Sequence, residues 1–140
     1  MLKGLDPLLG PDLLFTLRAM GHGDEIALVD GNYPALDHGR RVIRADGHGV
    51  LALIDAVLSV MPLDDMAASN CVLPLPPRPQ AIHAAMQQAV MRHEPKATFQ
   101  ALEGAAFYPR VRAAHAIVAT SEPALYANII LRKGVIYPRG

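Results

Sequence analysis

This 140-residue chain lacks a charge of either sign in excess: 13 Lys and Arg stand against 13 Asp and Glu. Without a positive surplus, nucleic-acid binding loses its main electrostatic term. Cysteine is nearly absent. The single Cys71 excludes an internal disulfide framework and a multi-cysteine metal site, and it suits a reducing cytosol. Long apolar runs are missing as well. The most apolar stretch, residues 50–63, is interrupted by Asp55 and Pro62 and is too short to span a bilayer. The opening MLKGLDPLLGPDLL has acidic residues at Asp6 and Asp12 and no apolar core long enough for a signal peptide. The expectation is a soluble cytoplasmic protein with neither nucleic acid nor membrane as partner.

What is present is apolar: 51% of residues are hydrophobic and only 19% charged. Such a chain buries enough surface to offset its ordering entropy, and its length fits one domain spanning residues 1–140. A small, uncharged, apolar domain also tends to self-associate.

Periodicity predicts alternating helices and strands. Pro11-Asp12 opens a helix with Leu13, Leu14, Leu17 and Met20 on one stripe, and Gly21 is a natural left-handed stop. Ile26 to Val29 forms a buried strand ending at Asp30, and residues 41–44 form a second. Spacing from Val50 to Met61 predicts a helix. Residues 70–73 predict a strand ended by the prolines at 74, 76 and 77. Residues 79–93 predict a helix, and 101–114 a helix broken or shifted by Pro109. Residues 116–120 and 127–132 complete the strands. Nearly all-apolar strands between helices imply a sheet covered on both faces, so the expected fold is a three-layer α/β/α domain with a mixed, mainly parallel sheet.

Chemistry-bearing residues are few. His22 lies between two glycines just before the first strand, where the glycines give access, and histidine suits proton transfer near neutral pH. Asp30 ends that strand, where open α/β sheets bind ligands. On spacing alone, His22 also fits a loop hydrogen bond and Asp30 a turn through Gly31-Asn32. The other histidines show no metal spacing, and His83 and His93 read as solvent-facing. No phosphate loop or nucleophile motif is found, and Asp64-Asp65 reads as a solvated cap. Tyr126 and Asn128 together suit a sugar, with an apolar ring face beside amide donors and acceptors. Phe107-Tyr108 reads as core packing or as a ring platform.

Together the segments MLKGLDPLLGPDLL, MGHGDEIALVDGNYPA, AFYPRVRAAHAIVAT and YANIILRKGVI resemble the ribose pyranase/fucose mutarotase family. The form Asn32-Tyr33-Pro34-Ala35 is similar to the fucose mutarotase branch. The resemblance implies a cofactor-free isomerase that binds a monosaccharide. It implies His22 as general acid, Asp30, Tyr126, Ala127 and Asn128 as sugar-binding residues, and Tyr108 near the pocket. Asp30 would orient the sugar or tune His22. It also implies homo-oligomeric rings, decamers of two stacked pentamers, with sites near subunit contacts. One departure stands out. Where the family carries a basic sugar contact, four residues before the position of Tyr108, this chain has Gly104, so Arg110 or Arg112 substitutes or a different sugar is accepted. A pyranase acting on D-ribose and a non-catalytic sugar-binding transport accessory remain as alternatives.

Overall fold

A computed structural model describes residues 1–139. Six strands form one sheet in the order β2-β5-β1-β6-β3-β4. They are β1 (Glu25–Val29), β2 (Val42–Ala45), β3 (Cys71–Pro74), β4 (Phe99–Leu102), β5 (Ala116–Thr120) and β6 (Ile129–Arg132). The helices are α1 (Pro11–Ala19), α2 (Ala35–His38), α3 (Val50–Leu58), α4 (Ala81–His93) and α5 (Gly104–Ala113). β1 pairs parallel with β5, β2 with β5, and β3 with β4, while β6 runs antiparallel to both β1 and β3. The expected mixed, mainly parallel sheet is found.

The alternation of side chains along each strand divides the core. Ile26 and Leu28 of β1 pack with Leu13 and Leu17 of α1, Leu53 and Ile54 of α3, and Met86 and Val90 of α4. Ala27 and Val29 face the other side, with Ala35 of α2 and Phe107 and Val111 of α5. Both faces are therefore covered, which is why the central strands are apolar throughout.

Three local expectations are corrected and one, at Pro74, is met. α1 stops at Ala19 because Met20 turns to an extended conformation (φ −66°, ψ 139°); the left-handed glycine is Gly23 (φ 87°), not Gly21. β3 ends at the prolines as expected, with Pro74 as its last residue. The Cys71 and Leu75 amides point toward β4, so the even-numbered positions face β6, and Pro74 falls beyond the start of β6, where the ladder to that strand has ended. Pro109 sits within α5 without ending it. The carbonyl it leaves without a partner belongs to Ala105, which is exposed and can be hydrated. Residues 101–102, expected in the helix, belong instead to an edge strand, β4, which is only half buried and so carries no apolar run.

Candidate active site

His22 and Asp30 flank β1 at opposite ends. Four residue steps from Glu25 to Val29 amount to roughly 13 Å of strand, and both residues lie beyond it. The structure therefore does not bring His22 together with Asp30, Tyr108, Tyr126 or Asn128 in one chain.

At the entry end of β1, His22 Nε2 lies 3.0 Å from Asp64 Oδ1. The side chain of Asp64 is 3% exposed, and Arg132 Nε donates to its other oxygen at 2.8 Å. Asp64 is thus a buried anchor and not a solvated cap. Burial alone would raise its carboxyl pKa. Hydrogen bonds from Arg132, His22 and the Met66 amide outweigh that and hold it down at about 2. Arg132 also faces Glu25, its cross-strand partner, at 3.7 Å. Arg110 grips the same glutamate with two bonds, of 2.8 and 2.7 Å. Gly23 completes the turn. A Cβ there would stand 3.0 Å from an Arg132 nitrogen and would require a left-handed side-chain residue. The glycine beside His22 therefore serves close packing on Arg132 as well as access.

At the exit end, Asp30, Asn32, Tyr33, Pro34, Tyr108, Leu125, Tyr126 and Asn128 line an open cleft of about 220 Å³. Five of the expected sugar-binding positions meet here: Asp30, Tyr108, Tyr126 and Asn128 at the cleft, with Ala127 fully buried behind it. Asp30 is only 7% exposed. Burial raises its carboxyl pKa above the usual carboxylate value, opposed by hydrogen bonds from the Asn32, Ala127 and Tyr33 backbones and from the Asn128 side chain. Ala127 thus acts through its amide. Asn128 Oδ1 also accepts the Asp30 backbone N–H at 2.8 Å. Tyr126 has φ +58°, the one non-glycine in the left-handed region among the described residues. For a side-chain-bearing residue this costs about 1–2 kcal/mol. Its carbonyl accepts the Asn128 amide at 2.9 Å and faces His83 Nε2 at 2.7 Å. His83 is therefore not solvent-facing. Nor is His93, whose Nε2 lies 3.0 Å from Asp55.

Tyr33, Tyr108 and His38 form an aromatic wall. The two tyrosine centroids lie 5.9 Å apart, and the Tyr33 hydroxyl shares a hydrogen bond of 2.8 Å with His38 Nδ1. Burial, assisted by Tyr108, pushes the Tyr33 hydroxyl up to about 12, so it stays protonated. Burial lowers the His38 pKa and so favours its neutral ring. Phe107 is core and Tyr108 is 43% exposed, so the adjacent aromatics divide the two expected roles. A Cβ at Gly104 would stand 3.2 Å from Tyr108 Cε2; the missing side chain gives the ring its place. Arg110 is committed to Glu25. Arg112 makes no ion pair among the described residues, and its charge acts on both Tyr33 and His38.

Sequence reasoning missed Asp64, Arg132, Tyr33, His38 and His83. A bare acidic pair, Asp64-Asp65, is a weak signal, and 42 residues separate His22 from Asp64. Larger grooves elsewhere, of about 390 and 460 Å³, join no amide to aromatic rings. No group of three or more metal-ligating side chains occurs among the described residues.

The chain is similar to known proteins over nearly its whole length. The bovine protein named fucose mutarotase is 42% identical over 99% of this chain and 97% of its own length. The human fucose mutarotase is 41% identical over 96% and 94% respectively. The crystal structure of the fucose mutarotase from Streptococcus pneumoniae in complex with L-fucose superposes with a TM-score of 0.93 at 41% identity, covering 97% of this chain and all of that one. The sequence profile of the RbsD / FucU transport protein family matches residues 3–136. The chain belongs to the RbsD / FucU family.

Proposed function

We propose that this protein is a mutarotase that interconverts the anomers of L-fucose or a closely related sugar. The observation that carries this reading is the Asp64-anchored His22 imidazole, found in a chain whose cleft suits a neutral sugar. Asp64 is an ionised carboxylate at neutral pH and can only accept. His22 Nε2 must therefore carry the proton, which leaves Nδ1 to face the substrate. When the ring is doubly protonated, Nδ1–H gives its proton to the sugar ring oxygen. The C1–O5 bond breaks, the C1 hydroxyl gives its proton to a water molecule, and C1=O forms. Rotation about C1–C2 and the reverse steps close the other anomer and return the proton to Nδ1. Bonds and protons balance without a cofactor. The uncatalysed reaction is facile, so general acid–base catalysis of roughly 10²–10⁴-fold suffices.

Asp30 and Asn128 hold sugar hydroxyls, Ala127 braces Asp30, and Tyr126 and Tyr108 cover the apolar ring face. Arg112 supplies the basic contact that Gly104 cannot. Because β1 separates His22 from this cleft, the working site lies between copies: His22 of one protomer meets the cleft of its neighbour. Exposed apolar side chains support association, among them Leu125 at 60% on the cleft rim, and Phe15, Leu36 and Ile136 elsewhere. A decamer of stacked pentamers is the assembly we favour. We assign the reaction to the cytoplasm, which the lone buried thiol of Cys71 suits; no helix among the described residues is long and apolar enough to cross a membrane.

NMR exchange between anomers tests the reading, with L-fucose, D-ribose and other sugars at equal protein concentration. Faster exchange of L-fucose, lost in His22→Ala, is expected. Preference for D-ribose would instead make the protein a pyranase. Sugar binding without accelerated exchange would make it a transport accessory.

A further inference from the structure

We infer that His83 is a positioning residue for sugar binding: it holds Tyr126 in its left-handed backbone conformation and so sets the floor of the cleft. This rests on the mutarotase reading of that cleft.

Three observations meet at this point. Tyr126 is the one non-glycine at positive φ among the described residues. An aromatic side chain does not adopt that conformation without surrounding restraint. The restraint is visible. The Tyr126 carbonyl lies 2.7 Å from His83 Nε2 and accepts the Asn128 amide at 2.9 Å. A carbonyl oxygen can only accept, so the His83 ring must carry its proton on Nε2. The donor comes from α4, which is anchored by fully buried Met86, Ala89 and Val90. It is therefore fixed independently of the loop it grips. The third observation is continuity. Asn128 Oδ1 accepts the Asp30 backbone amide at 2.8 Å, so the peptide clamped by His83 leads directly to the groups aimed at the sugar.

Sequence spacing gives no hint of this role, since 43 residues separate His83 from Tyr126. The bond is made by one helix of the opposite layer reaching the turn before β6. Without it, the residue is free to relax to negative φ, which swings the Tyr126 ring and slackens the Asn128–Asp30 link. The acid that meets this cleft is the His22 of a neighbouring protomer, held by its own Asp64, and the His83 bond takes no part in that anchor. Loss of the donor should therefore weaken binding of the sugar in its ground state and transition state alike, raising KM with little change in kcat.

The test uses the intact full-length protein. His83→Leu removes the donor at similar size. His83→Gln places an amide Nε2 where the imidazole Nε2 stood. His83→Asn keeps polarity but falls short of the carbonyl. Anomer exchange of L-fucose is followed by NMR over a range of sugar concentrations. The expected result is a KM higher by about three- to tenfold for His83→Leu and His83→Asn, the worth of one hydrogen bond. Turnover should stay within about twofold and His83→Gln should return KM to within about twofold of the parent. An unchanged KM in His83→Leu, or equal losses in the Leu and Gln variants, overturns the inference. Should the variants fail to fold, ¹⁵N shifts of the His83 ring in the parent protein decide the point: the Nε2–H tautomer is required, and the Nδ1–H tautomer refutes it. A parent protein that accelerates no sugar overturns the mutarotase reading and this inference together, whereas an active parent with an indifferent His83→Leu overturns this inference alone.

Discussion

Replacing Asp64 by Asn tests the buried charge network at its centre. The substitution keeps shape and removes one negative charge that is 3% exposed. Two cations lean on it: Arg132 at 2.8 Å, and His22 at 3.0 Å when its ring is protonated. In the folded protein the carboxyl titrates at about 2 against an ordinary 3.8. At about 1.4 kcal/mol per pKa unit, this is about 2 kcal/mol of preference for the ionised form. Removing one partner of a fully buried pair costs about 3–5 kcal/mol. Here Arg132 and His22 are 36% and 42% exposed, and water rescues part of that. The expected loss at pH 7 is about 2–3 kcal/mol. A folded-state pKa below the unfolded value gives stability that is present above about pH 4 and lost as pH falls toward 2. Urea unfolding at fixed protomer concentration, repeated between pH 7 and 2, should show the parent losing about 2 kcal/mol in that window. Asp64→Asn should show less loss there. Anomer exchange should also fall at least about tenfold, because an amide no longer fixes the His22 tautomer. Equal stability of the two proteins at pH 7, or a parent whose stability is flat between pH 4 and 2, would refute the network. Full activity in Asp64→Asn would refute the assignment of Nδ1 as the reacting atom.

A shared site predicts complementation. His22→Ala and Asp30→Asn proteins, each inactive alone, should regain about a quarter of parental exchange when co-folded in equal amounts, since a random site pairs an intact acid with an intact cleft one time in four; no recovery in mixed assemblies shown to form would place acid and cleft in one chain. Gly104→Ala sets a methyl carbon 3.2 Å from Tyr108. The tyrosine ring must give by a few tenths of an ångström, so sugar affinity should fall by about two- to fivefold with unfolding midpoints nearly unchanged, as read by isothermal titration and urea melts.

The strands and helices that carry the core were legible because they are apolar throughout or repeat at helical spacing. β5, with every residue buried, begins and ends where its apolar run does. α3 starts at the expected Val50 behind Gly49. β4 was illegible for the opposite reason: an edge strand with two exposed positions carries no pattern. β3 does end at Pro74, but Pro109 was read as a break and is not one, because the cost of a proline depends on what surrounds the groups it leaves unpaired. That is a question about neighbouring strands and solvent, not about the proline itself.

By itself the sequence determined the layers, the mixed sheet, the two ends of β1 with a histidine before and an aspartate after, and the family. Those follow from local pattern and from motif. Tertiary structure alone decided what each end touches. Within one protomer Asp30 does not reach His22, since a strand stands between them; Asp64, 42 residues away, holds that ring. Asp64 is an ion pair and not a solvated cap because Leu63 bridges to Lys133 and carries the next residue under Arg132. His83 reaches Tyr126 only because α4 packs at the end of the sheet where β6 begins. The physical reason is common to all three. Hydrogen bonds and ion pairs reach about 3 Å, and which groups come that close is fixed by how distant segments pack.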